Sequence, residues 1–142
     1  MLKKGVCIGC AIMVLIIMMG HFLEIKTKND SKMVPDIINS LSMDRDQYLT
    51  VVANRDEIED KEEFVELLVQ MCKENSFHTI KFSTDRGYAT SLYMKVYLWR
   101  DKIEGYDPVM IVEYEPAECG RGYDIVHDSE QFNLFVDGKL CE

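Results

Sequence analysis

Nineteen consecutive residues without a formal charge, Gly5 to Leu23 (GVCIGCAIMVLIIMMGHFL), follow the pair Lys3-Lys4. A helix rises about 1.5 Å per residue, so this run reaches roughly 28 Å, close to the ~30 Å hydrocarbon core of a bilayer. The chain is therefore expected to fold in two parts. A transmembrane anchor over residues 5–23 follows a cytoplasmic head of residues 1–4, and the remainder folds outside the lipid. A cleaved signal peptide also opens on basic residues and an apolar run, but its apolar core spans about 7–15 residues and closes on small residues. The exit here reads Met18-Met19-Gly20-His21, which suits an uncleaved signal anchor better than a leader. Cys10 lies behind too short an apolar stretch for a lipoprotein signal.

The bases flanking the span are almost evenly divided, with Lys3, Lys4 and the amino terminus before it and Lys26, Lys28 and Lys32 after it. The positive-inside rule counts these bases and gives little weight to Glu24, Asp30 and Asp36. The short head ahead of the span then sets the expectation: amino end inside, soluble domain extracytoplasmic. Residues 24–142 carry 14 Lys and Arg against 25 Asp and Glu, a balance of −11. Nucleic acid needs clustered bases, so it is excluded as a partner. A chain of this length supports one domain with a core of its own.

Residues 24–46 read as a polar tether, with Pro35 opening a helical turn to Leu41. The globular domain, residues 47–142, begins with a strand over Gln47–Ala53, rich in aromatic and β-branched residues. Asp60 and Glu63 have the capping-box spacing, and Phe64, Leu67, Leu68, Met71 and Cys72 repeat as one apolar stripe until Asn75-Ser76. Further strands are expected over 79–83, 91–100 and 109–114, the last two antiparallel because no helical pattern separates them. Weaker strands over 123–126 and 132–136 precede the hairpin signal Asp137-Gly138. The fold class is α+β: one main helix packed on a mainly antiparallel sheet of four to six strands, behind an N-terminal transmembrane helix.

No catalytic, cofactor or metal motif stands out. The acids between Asp56 and Glu66 lack the alternating oxygen ligands and central glycine of a calcium loop, and suit a helix amino end. Asp85-Arg86-Gly87 reads as a plain turn. Glu113, Glu115, Glu118, Cys119 and His127 match no zinc spacing. Cys7 and Cys10 fall inside the span, and Cys72 falls on the apolar stripe. Cys119 and Cys141 are left as a candidate disulfide that would pin the carboxyl end of an exported domain.

The strand Ser91–Arg100 alternates Leu92, Met94, Val96 and Leu98 with Tyr93, Lys95, Tyr97 and Trp99. If the helix covers the first set, Tyr93, Tyr97 and Trp99, joined by Tyr88, Tyr106 and Tyr114, form an aromatic binding surface. The competing arrangement folds the tail, 123–140, back over these rings as a second layer. The function expected is non-enzymatic: a membrane-tethered module that binds a protein or peptide through the aromatic face or by strand addition. A membrane-anchored hydrolase is the alternative.

Overall fold

Strand β1 (Asp36–Met43) and strand β2 (Asp46–Val52) form a hairpin, with Met43 opposite Asp46 and a two-residue loop, Asp44-Arg45, in which Asp44 has φ 59°. The computed structural model describes residues 33–142, of which Pro35–Glu142 form one compact unit. The head, the anchor over residues 5–23 and the tether up to residue 32 lie outside the described residues. Among the described residues no helix is long and apolar enough to cross a membrane.

Helix α1 (Lys61–Glu74) follows β2 and is fixed at both ends by its own sequence. The Asp60 carboxylate accepts from the Glu63 amide at 3.0 Å, and Glu62 and Glu63 occupy the first turn, where the helix dipole favours them. Asn75 closes the helix in the left-handed region at φ 52°. The helix then returns the chain to β3 (Ser91–Tyr97), which lies parallel to β2 with Gln47 opposite Leu92. From there the sheet grows by antiparallel neighbours: β4 (Met110–Pro116), β5 (Phe132–Val136) and the short β6 (Lys139–Leu140). Strand order in space equals strand order in sequence. Among the described residues the fold is α+β, one α-helix on a six-stranded, mostly antiparallel sheet.

The core lies between α1 and one face of this sheet. Phe64, Val65, Leu68, Val69 and Cys72 of α1 meet Leu49 and Val51 of β2, Leu92, Met94 and Val96 of β3, and Met110 and Val112 of β4. The helix presents a stripe slightly rotated from the one its spacing suggests: Val65 and Val69 are buried, whereas Leu67 is 42% exposed.

Three segments differ from sequence expectation. Residues 35–41, expected as a helical turn, belong to β1, where Ile37 pairs with Val51 and is fully buried. Residues 79–83, expected as a strand, pair with no strand; side chains take backbone groups of Thr79 and Phe82 instead. The Asp36 carboxylate accepts from the His78 and Thr79 amides, and the Asn75 side chain holds both the N–H and the C=O of Phe82. Residues 123–126 turn instead of extending. Asp124 Oδ1 accepts from the Val126 and His127 amides, and Ile125, bonded through its amide to Ala89, drops into the core.

Candidate binding surface

The pairing register lines up one cross-sheet row on the side away from α1. Leu41 faces Tyr48, Tyr48 faces Tyr93, Tyr93 faces Glu113, Glu113 faces Phe135 and Phe135 faces Leu140. Directly paired residues point to the same side of a sheet, and neighbours along a strand to opposite sides. Leu92, Met94, Val112 and Leu49 pack under the helix, so this row belongs to the other face. No described strand or helix lies over it. Leu41 is 60% exposed, Tyr48 41% and Leu140 54%, while Tyr93 and Phe135 are half-buried. The Tyr48 and Tyr93 rings lean together with centroids 5.8 Å apart. Met43, Ile111 and Val109 widen the apolar area, with Lys95, Glu113 and Glu115 set among them.

The expected tail-over-face arrangement does not occur among these strands. The chain after Pro116 adds β5 and β6 in the plane of the sheet, so it lengthens the open face instead of covering it. At the opposite edge β1 pairs only with β2 among the described residues. That edge strand, DIINSLSM, has no lysine and no internal proline; its register shifts between Ile37 and Asn39, so the regular edge runs from Asn39 to Met43.

The aromatic residues singled out by sequence divide among three places. Tyr93 lies on the open face. Tyr97 shares that face but is only 8% exposed, beside the buried Val52 opposite it. Trp99 lies beyond the end of β3, where its indole N–H donates to Asp56 at 3.0 Å and ties the loops that follow β2 and β3. Tyr114 points to the helix side, because its partner across the ladder is the core residue Leu92. Its ring stacks on Phe132 at 4.8 Å and has the Lys73 ammonium 5.4 Å from its centroid. Tyr88 also stands on the helix side, edge-on to His127 at 5.1 Å. Tyr106 is exposed in the loop after β3, with the Lys102 ammonium over its ring. Leu41, Met43, Tyr48, Phe135 and Leu140 complete the surface. The alternation of Tyr48 with Leu49 in Gln47–Ala53 is the one local signal that announces any of them.

Cys72, Cys119 and Cys141 are free thiols here: Cys72 buried, Cys119 exposed and Cys141 half-buried beside β5. Burial pushes the Cys72 thiol far above its ordinary value. Burial also raises that of Cys141, and Glu62 and Glu66 add to the rise. Cys119 borders a cavity of about 500 Å³ with Glu115, Glu118 and Arg121, and Arg121 pairs with Glu118 at 3.1 Å. Asp124 and the His127 ring are 3.0 Å apart. Partial burial pushes the Asp124 carboxyl up, but bonds from the His127 amide and ring and the Val126 amide, with the electrostatic pull of His127, outweigh it. The carboxyl therefore lies below the usual range, acting as a local clasp. Among the described residues no three metal-ligating side chains gather.

No family model, curated protein or solved structure matches this chain.

Proposed function

We propose that this chain is a membrane-tethered binding module, held in the bilayer by residues 5–23 with its domain on the extracytoplasmic side. The open sheet face and the β1 edge receive an extended, apolar segment of a partner protein. The observation carrying this reading is the exposed row Leu41, Tyr48, Tyr93, Phe135 and Leu140, which runs unbroken across the sheet apart from Glu113. Fully burying a large apolar side chain is worth about 1.5–3 kcal/mol, so covering the exposed half of each contributes about 1 kcal/mol. A strand added to β1 would also pair with its outer backbone groups and set its alternate side chains beside Leu41 and Met43. The membrane part of the reading is supported by the length and uniform apolarity of residues 5–23.

The test places a photo-crosslinking amino acid at Tyr48, at Phe135 and, on the outer side of α1, at Gln70, in the full chain in its own membrane. One partner adduct, shared by Tyr48 and Phe135 and missing from Gln70, is expected. An adduct of equal yield from Gln70, or none from either sheet position, overturns the reading.

A further inference from the structure

At the tip of the β1–β2 hairpin, on the helix side of the sheet, a cavity of about 280 Å³ opens between the hairpin and the loop before β3. Two of its walls are arginines, Arg45 from the hairpin loop and Arg86 from the turn Thr84–Gly87. Here neither guanidinium stands in an ion pair with any described residue, although Asp44 and Asp85 line the same cavity. Each guanidinium offers five N–H donors in a planar fork suited to an oxyanion.

Arg45 is held in place. A Cβ added to Gly87 would meet Arg45 Nη1 at 2.9 Å and its Cδ at 3.7 Å, so the arginine lies directly against this glycine. Gly87 is also at φ +104°, a conformation that other residues adopt only under strain. The backbone carbonyl of Arg45 accepts from the Thr90 amide at 3.0 Å, which fixes the residue at its base. The cavity floor is polar and already satisfied: Gln47 is buried and its Nε2 donates to Ser42 Oγ at 2.9 Å. The floor therefore holds its shape and leaves recognition to the guanidiniums.

We infer that this cavity is a carboxylate-binding site, taking one acidic side chain or the terminal carboxylate of the partner segment proposed above, on which reading it rests. The lining itself balances two guanidiniums against two carboxylates. A singly charged carboxylate gains a fork of charge-assisted bonds, whereas a phosphate dianion meets Asp44 and Asp85 with a second negative charge. The volume suits one such group and not a nucleotide. The cavity adjoins the Met43 end of β1, so a segment laid along that edge brings a residue near its terminus to the arginines.

The test follows the arginine Nε–H resonances of the labelled full chain, in neutral detergent micelles, during titration with N-acetylglutamate amide. N-acetylglutamine amide, inorganic phosphate and sodium chloride at matched ionic strength serve as comparisons. Saturable shifts of Arg45 and Arg86 with the acid alone are expected, weakened about tenfold by R45Q, R86Q or G87A. Shifts that match those of chloride, or tighter saturation by phosphate, overturn the inference. Persistence of the Tyr48 and Phe135 adducts beside a silent titration defeats the carboxylate site alone. A positive titration without those adducts defeats the sheet-face reading alone.

Discussion

Replacing Asp36 with alanine removes four acceptor contacts at once. Its Oδ1 accepts from the amides of Ile37 (3.0 Å), His78 (3.0 Å) and Thr79 (3.1 Å), and its Oδ2 accepts from the Thr79 hydroxyl. These bonds tie the first residue of β1 to the chain forty-two positions later, just after α1. Most of them lie at the surface, where water replaces part of what is lost, so about 0.5 kcal/mol each is apt and the sum is ~2 kcal/mol. For a domain near this size ~1 kcal/mol moves Tm by about 4–8 °C, which puts D36A roughly 8–16 °C below the parent. D36N keeps an acceptor for the three amides, and its Nδ2 can donate to Thr79 Oγ1, so about half the loss is expected. Partial burial raises the Asp36 carboxyl, but the Thr79 hydroxyl and amide and the Ile37 and His78 amides outweigh it, leaving its pKa lowered. A lowered folded-state pKa means that the stability it contributes is fully present above the unfolded value of about 3.9. That contribution is lost as pH falls through the folded value. D36N removes this component of the acid dependence. Thermal unfolding of the full chain in neutral detergent, followed by circular dichroism between pH 7 and pH 2.5, measures both effects. A D36A midpoint equal to the parent's, or an unchanged acid limb in D36N, refutes the clasp.

Three further outcomes can be measured, two on the described residues and one on the proposed membrane orientation. L68A should cost ~2–5 kcal/mol because Leu68 is fully buried beneath the sheet, whereas L67A should stay within about 0.5 kcal/mol; equal losses in thermal unfolding would contradict the orientation of α1. Iodoacetamide at pH 8 should label Cys119 quickly and leave Cys72 untouched until the domain unfolds, as peptide mapping by mass spectrometry would show; fast labelling of Cys72 counts against its burial. With an epitope after Glu142, protease added to intact cells should remove the tag if the domain is extracytoplasmic. A tag that survives until the cells are lysed places the domain inside.

The parts of this fold that could be read from sequence are those settled within a few residues. Asp60, Glu63 and Asn75 mark the ends of α1 because capping is a local exchange of hydrogen bonds, and Asp137-Gly138 marks the β5–β6 hairpin because both positions have positive φ. The alternation in β3 marks the strand from Ser91 to Tyr97, although the pattern runs on through Trp99 after the ladder has ended. Strand β1 is different: Asn39, Ser40 and Ser42 give it little strand preference, and pairing with β2 and the Asp36 clasp create it. Residues 79–83 are the converse. Their pattern is strand-like, yet Asp36 takes the Thr79 amide and Asn75 takes both backbone groups of Phe82. The side taken by Tyr114 is decided by its register against Leu92, and Tyr88 sits where the helix-side loops meet. Neither fact is visible within the segment itself. The surface was half-legible for the same reason: Tyr93 follows from its own strand, but Leu41 and Leu140 join it only through pairings across the whole sheet.

The single parallel pairing in the sheet has a kinetic consequence. Every other strand meets its sequence neighbour through an antiparallel connection, so 36–52 and 91–140 can each assemble from contacts close along the chain. Gln47 and Leu92 are forty-five positions apart, and their alignment requires closure of the one long loop that contains α1. Docking of that helix closes the loop, the longest between any two paired strands here, and the core contacts of Leu68 and Val65 help offset its chain-entropy cost. Until it docks, the two sheet fragments carry unpaired inner edges at β2 and β3, the interval in which a neighbouring copy can join the wrong strand.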